Sequence, residues 1–356
     1  MRHPLIFHTA TTLQTSPIAD KFPHSEFLLY FCRLNNLTRV FTMAGTINAH
    51  SSGKKLLGHL GALVTMGAWG SSFVCTKVLM NEGDFTPVEM FTYRFAAAYV
   101  ILLCLSFKKL FANSWAHELQ FMVCGICAGS LYFILENYAL GKTSTGNVSL
   151  LGSISPLFTT LLLAIVFRQR IKSGVIIGSI MAFFGVACVI LNKEGFEFHP
   201  DGDLLAICAS LAWAIYTVIA KNLIPVYNGM FITRKLFLYG VLTSLPLLFM
   251  QQEPYHIGIL IEPKFLFNFL FLVVMCSALA YVIWNEVMRT LGPITASNYI
   301  YMQPMVTMVV AYFVLDEHIF LIGYVGCALI IGGLIIADKW NPSFSMRRRG
   351  KINPKK

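Results

Sequence analysis

Charge is what this sequence has least of. Asp, Glu, Lys and Arg together make up 12% of its 356 residues, and 56% of the chain is hydrophobic. Soluble domains carry roughly a quarter charged residues, so a soluble globular fold is excluded. Several motifs are missing as well. There is no nucleotide-binding loop of the G-x-x-x-x-G-K type, which removes ATP as a driving force. All nine histidines fall in loops, in termini or at the edges of apolar segments. They supply neither a metal cluster nor the base that an intramembrane nucleophile needs, so no metal and no cofactor is expected. Of nine cysteines only Cys32 lies outside the apolar segments. Cys124 and Cys127 form a C-x-x-C without a second pair or a nearby histidine, which reads as packing rather than as a redox or metal site. A cleavable secretory signal is also lacking, because Phe27-Leu28-Leu29-Tyr30-Phe31 is too short and no small-residue cleavage site follows it.

What the chain has in abundance is long apolar runs. A hydrocarbon core about 30 Å thick takes roughly 20 apolar residues per helix. Ten segments approach or meet that length, near 57–80, 88–107, 117–140, 145–167, 172–192, 203–222, 230–250, 265–288, 293–315 and 318–338. The formal charge of +10 is distributed as the positive-inside rule requires, not as a nucleic-acid surface. With the N-terminus in the cytoplasm, Lys54-Lys55, Lys108-Lys109, Arg168, Arg170, Lys172, Arg234-Lys235 and Arg289 fall inside, and Lys142, Lys193 and Lys264 fall outside. The basic tail around Arg347-Arg348-Arg349 is then cytoplasmic too, either fixing orientation or touching anionic lipid.

The membrane region repeats itself. Asn137, Ser149, Pro156, Ile171, Gly178 and Gly185 recur 148 residues later as Asn285, Ser297, Pro304, Ile319, Gly326 and Gly333. Trp69 and Lys77 are matched by Trp213 and Lys221 at a similar shift. Ten spans in two halves give five per half, and an odd number forces the second half to enter from the opposite face. The expected fold is therefore an all-α integral membrane protein of ten transmembrane helices, arranged as two inverted five-helix repeats. The expected organisation is a cytoplasmic segment 1–56, repeats at 57–192 and 203–338, and a basic cytoplasmic tail 339–356. Met43 opens a polar leader running into Lys54-Lys55, and translation is expected to start there, with residues 1–42 an artefact of start assignment.

Particular residues carry a family resemblance. Ala68-Trp69-Gly70, Pro87 followed by Arg94, and Tyr138-Ala139-Leu140 leading to Thr143-Ser144 and Pro156 occur in order in the first half. Ala212-Trp213-Ala214, Met288-Arg289, Ala296-Ser297, Pro304 and Leu315-Asp316-Glu317 follow in the second. Across about residues 57–338 the chain resembles the EamA-type transporters of the drug/metabolite transporter superfamily. That resemblance implies ten helices, two inverted repeats, and export or exchange of small metabolites such as amino acids across the plasma membrane. It departs from the family at one place: Glu317 in the second half is matched by Gln169 in the first, so no mechanism with two symmetric acids there is expected.

Polar side chains in lipid need a reason, because an unsatisfied group there costs several kcal/mol. Asn137 and Asn285 are equivalent under the repeat and either face a solute path or bond between helices. The repeated Ser149 and Ser297 lie on the same expected path. Glu136 and Glu286 stand beside the asparagines and either anchor at the interface, form a packed ion pair, or carry a proton. Glu286, with Arg289 three residues on, is the better proton candidate of the two. Arg94 binds an anionic group or, on the structural reading, pairs with Glu89 or with outer carbonyls, since snorkelling reaches the interface from that depth. Trp69 and Trp213 lie mid-helix, away from the interfacial belt, with Tyr216 on the face of Trp213. Trp284, Tyr301 and Gln303 add amphipathic surface in the eighth and ninth spans. Pro156 and Pro304 permit matching kinks, the strongest sequence pointer to a transport site. Gly178, Gly185, Gly326, Gly332 and Gly333 look like close-packing faces, either between the halves or between the protomers of a homodimer.

The leading expectation is a secondary transporter whose partners are a small-molecule substrate and the lipid bilayer, with no nucleic acid. Efflux of hydrophobic drugs is the alternative within the class. A membrane enzyme or receptor is the disfavoured alternative outside it.

Overall fold

The computed structural model describes residues 51–107, 109–142, 145–168, 171–191, 199–251, 255–315 and 321–339. The start-site expectation at Met43, the Gln169/Glu317 comparison and the basic tail lie outside the described residues. Among the described residues the secondary structure is helical throughout. The first half contains α1 (Ser51–Asn81), α2 (Pro87–Leu105), α3 (Trp115–Gly125), α4 (Tyr132–Leu140), α5 (Thr145–Gly152), α6 (Ser155–Phe167) and α7 (Ser173–Leu191). The second contains α8 (Pro200–Leu223), α9 (Gly229–Met250), α10 (Pro263–Leu270), α11 (Ala280–Leu291), α12 (Pro293–Asn298), α13 (Met302–Leu315) and α14 (Leu321–Lys339).

Local chemistry explains where several helices begin. Thr86 caps α2: its hydroxyl accepts from Glu89 N, and the Glu89 carboxylate accepts from Thr86 N at 3.0 Å, with Pro87 preset for the first turn. Asn228 caps α9 by accepting from Phe231 N at 2.8 Å. Gly292, at φ +85°, ends α11 and turns the chain directly into Pro293 of α12.

Eight helical stretches among the described residues are long and apolar enough to cross a membrane. They correspond to the second to eighth and the tenth of the ten expected segments. The first expected segment lies in α1. The ninth is divided between α12 and α13 by a 3-10 turn at Tyr299–Tyr301. The matching break in the fourth segment falls at Ser153–Ile154, between α5 and α6. Each interruption comes just before the proline of its half, Pro156 or Pro304. A second matched pair of irregularities joins α3 to α4 and α10 to α11. Both are π-helical, at Ile126–Leu131 and Phe271–Leu279. Within the first, Gly129 leaves helical angles altogether, at φ −105° and ψ −108°. Such π segments are rare and mark places where a helix is bent for a purpose.

Polarity is distributed for lipid rather than for water. Val64, Ile165, Phe184, Leu247 and Phe249 are exposed, whereas Thr65, Thr92, Thr217, Ser244 and Asn285 are buried. Large apolar patches on a surface require a non-aqueous neighbour. Some of the buried polar groups, Thr65 and Thr217, bond back to their own helix, and others pair between helices: Thr92 Oγ1 donates to Ser244 Oγ at 2.9 Å, joining α2 to α9. Ser130 and Thr243 Oγ1 share a hydrogen bond of 2.7 Å. Across the halves, α1 packs on α11 and α13, α2 on α9, α4 on α8, and α7 on α14. The protein is a multi-pass, all-helical membrane protein.

Candidate functional site

One cavity stands at the junction of these pairs. Its walls come from the first half through α1, α2, α4, α5 and the start of α6, and from the second through α8, α11, α13 and the 3-10 turn before it. The space between its walls, mouth included, is about 980 Å³. The lining runs from mid-bundle, at Trp69, Trp213 and Pro304, toward one end. Met90 and Phe91 lie in the first turns of α2, Glu136 and Asn137 in the last turn of α4, and Val148 early in α5.

An aromatic cluster forms the floor. Trp69 meets Trp213 edge-on at 5.5 Å between ring centroids and 88° between planes. It also contacts Tyr281 at 5.3 Å. Trp213 in turn contacts Tyr132 at 5.3 Å. The indole N–H of Trp69 donates to the Cys276 carbonyl at 2.9 Å, in the π segment that joins α10 to α11. An irregular helix can offer a backbone carbonyl to a side chain in this way.

Two opposite charges line the same cavity. Arg94 is 5% exposed. Its Nε donates to Ser277 Oγ at 2.6 Å, and its guanidinium lies 5.1 Å from the Phe95 ring centre and 5.6 Å from that of Phe133. The sequence left Arg94 with Glu89 or the interface as its structural partner, and the structure overturns this. The Glu89 carboxylate accepts from Thr86 N and from both His256 N and His256 Nδ1, at 2.8–3.0 Å. Glu136 accepts from the Tyr132 hydroxyl at 2.6 Å.

The residues singled out from the sequence divide into two groups. Trp69, Trp213, Asn137, Gln303, Glu136 and Pro304 line the cavity. Tyr216, Trp284, Asn285, Ser297 and Tyr301 are fully buried behind its walls, as is Pro156 at the start of α6. Asn285 is consumed by the helices around it. It donates to Thr233 Oγ1 at 3.1 Å and to the Tyr281 carbonyl at 2.8 Å, and accepts from Tyr216 OH at 3.3 Å. The side chain of Ser149 lies outside the described residues. Glu286 lies at the far end of the bundle, paired with Arg289 Nε at 3.0 Å and accepting from Gly229 N at 3.0 Å. Phe91, Phe95, Tyr132, Phe133 and Tyr281 also line the cavity without having stood out in the sequence.

That far end is tied shut by a polar network. Lys235 and Tyr239 both donate to Glu118 Oε1, and Ala112 N donates to Glu118 Oε2 at 2.8 Å. Arg234 donates to the carbonyls of Ser106 and Lys109, and Arg289 to that of Tyr227. Asn113 N donates to Tyr227 OH at 2.7 Å. The side chain of Lys235 is 3% exposed and that of Glu118 12%. Removing one member of so buried a pair strands the other charge, so Glu118→Gln is expected to cost on the order of 3 kcal/mol. Adding Lys235→Met to Glu118→Gln should recover most of it. Apparent melting temperatures of the two variants in detergent check this, and a double variant no better than the single one would refute it.

Comparison with known proteins agrees with this architecture. The EamA-like transporter family matches the chain twice, over residues 56–191 and 201–337. An uncharacterized transporter of Archaeoglobus fulgidus is 26% identical over 284 residues, spanning 78% of this chain and 96% of that protein. A protein of Streptantibioticus cattleyicolor named "Probable terminal-alkyne amino-acid exporter" is 25% identical over 278 residues, 78% of this chain and 92% of its own length. One crystal structure shares the fold at a TM-score of 0.64 and 17% identity, over 82% of this chain and 99% of that one. With both halves matched, and a cavity between them in a helical membrane fold, this chain belongs to the EamA-like transporter family.

Proposed function

We propose that the chain is a secondary transporter that exports or exchanges small metabolites such as amino acids, and that the cavity is its cargo site. The reading is of ten membrane helices in two inverted five-helix repeats, with both termini cytoplasmic, in the plasma membrane. Matched irregularities support the repeat: the π segments Ile126–Leu131 and Phe271–Leu279, and the breaks before Pro156 and Pro304. The observation that carries alternating access is the asymmetry of the two ends. A cavity lined by both halves lies toward one end, and the Glu118–Lys235–Tyr239 network closes the other. Rocking the halves about the Trp69–Trp213 contact would open the second end as it closes the first.

The name of the Streptantibioticus relative supports amino acids as cargo. Efflux of hydrophobic cations would suit the aromatic wall and Glu136, but Arg94 on the same wall repels them. If a proton is exchanged, its carrier is Glu136, which faces the cavity together with Arg94 and Tyr132. Glu286 has an arginine partner and does not line this cavity.

Uptake by proteoliposomes, over a panel of amino acids and nucleosides with and without a pH gradient, tests the reading. Saturable uptake of an amino acid is expected. Any gradient dependence should vanish in Glu136→Gln and persist in Glu286→Gln. Absence of saturable uptake or counterflow across the panel would sink the amino-acid assignment, and gradient dependence lost only in Glu286→Gln would return the coupling role to that residue.

A further inference from the structure

Arg94 is the feature of the cavity that mere passage of a solute does not require. A guanidinium buried among membrane helices ordinarily pairs with a carboxylate or with several backbone carbonyls. Here one nitrogen, Nε, donates to a serine hydroxyl, and two phenylalanine rings cover the face. Among the described residues Arg94 forms no ion pair, and its two terminal nitrogens donate to no protein acceptor. Glu136 is in a similar condition. Tyr132 bonds one carboxylate oxygen, and no cation pairs with it among the described residues. The two groups line the same cavity, yet no ion pair joins them among the described residues.

Opposite charges held apart across an aromatic-walled space are complementary to a molecule carrying both. A lone anion at Arg94 would face Glu136, and a lone cation at Glu136 would face Arg94; only a zwitterion satisfies both. The planar fork of a guanidinium fits a carboxylate through two parallel hydrogen bonds. Trp69 and Trp213 offer apolar surface to whatever side chain the cargo bears.

We propose that Arg94 and Glu136 are the specificity-determining residues of the cargo site, a charge clamp that takes a carboxylate on Arg94 and an ammonium group on Glu136. The cargo is then a small zwitterion with a bulky apolar side chain. The proposal rests on reading the cavity as the cargo site. It adds a consequence: an ammonium group and a proton compete for one carboxylate, which makes exchange of one for the other the natural mode.

The test uses the full-length protein in detergent and three probes. L-phenylalanine carries both charges, L-phenylalaninamide lacks the carboxylate, and 3-phenylpropionate lacks the ammonium group. Binding is read from quenching of tryptophan fluorescence, since Trp69 and Trp213 line the cavity. Wild type should bind phenylalanine roughly tenfold or more tighter than either edited probe. Arg94→Gln should bind phenylalanine and its amide alike, and Glu136→Gln should bind phenylalanine and phenylpropionate alike. These ratios are internal to each variant, so a smaller folded fraction does not imitate them. Should Arg94→Gln fail to fold, the wild-type ratios and Glu136→Gln decide the matter.

Wild type that binds no phenylalanine, or an edited probe equally well, overturns the clamp. So does Arg94→Gln that keeps the wild-type preference. Gly152→Trp separates the two levels of inference. Phenylalanine binding that survives Gly152→Trp removes the cavity reading itself. Binding lost in Gly152→Trp, with the preference unchanged in Arg94→Gln, removes only the clamp.

Discussion

Gly152→Trp is expected to abolish transport while the protein still folds, and Gly152→Ala is expected to transport like the parent. Gly152 ends α5 on the cavity wall, beside the break that leads into α6. A Cβ built at this glycine meets no atom within 4 Å, so there is open space where a side chain would go. An indole, with on the order of 200 Å² of surface, would stand in that open space and obstruct cargo against this wall. Because the wall need not move to accept it, the folded state should tolerate the change. Alanine adds one methyl group to the same space and replaces a helical glycine, a change worth about 0.5–1 kcal/mol of added stability. Uptake into proteoliposomes, alongside monodispersity and melting temperature in detergent, measures both effects. A Gly152→Trp protein that transports normally would place the cargo path elsewhere.

Some of this site was legible in the sequence. Repetition drew attention to Trp69 and Trp213, to Asn137 and to the prolines, because a polar or helix-breaking residue in lipid has few structural excuses. Rotation about the helix axis was not legible. Glu136 and Glu286 stand next to equivalent asparagines, yet the step from one residue to the next turns a helix by about 100°. That step, with the offset between the repeats, is enough to send Glu136 to the cavity and Glu286 to Arg289. Nor did equivalence in sequence make the asparagines equivalent in role. Asn285 is enclosed by Tyr216, Thr233 and Tyr281, and Asn137 lines the open space. Arg94 was misplaced for a physical reason. A long side chain two turns from a helix end can reach the interface, and only the tertiary fold shows that Glu89 is already occupied by His256. The π segments carry no periodic signal, since one extra residue in a turn leaves an apolar helix looking apolar.

The glycines of α7 and α14 give the second large effect, and it discriminates between neighbours. By helix propensity Gly332 and Gly333 are alike, although only Gly333 is the repeat partner of Gly185: both sit mid-helix in α14, and alanine should favour the helix at either by about 1 kcal/mol. Their surroundings differ. A Cβ on Gly333 would lie 2.8 Å from Ala182 N and 2.5 Å from the carbonyl oxygen of Gly178. A Cβ on Gly332 would meet only the terminal methyl group of Met181, at the end of a flexible side chain. Backbone cannot step aside as a thioether can, so Gly333→Ala must push α7 and α14 apart. The same holds at the other crossing, where a Cβ on Gly185 would lie 2.7 Å from the Gly326 carbonyl oxygen. With no hydrophobic force between helices in lipid, close backbone approach is what binds this pair, and its loss is not refunded elsewhere. Gly333→Ala is therefore expected to destabilise by on the order of 3 kcal/mol, the upper range for overpacking, and Gly332→Ala to change stability little. Paired thermal melts in detergent measure the contrast. Equal melting temperatures for the two variants would mean that α7 and α14 do not pack through these glycines.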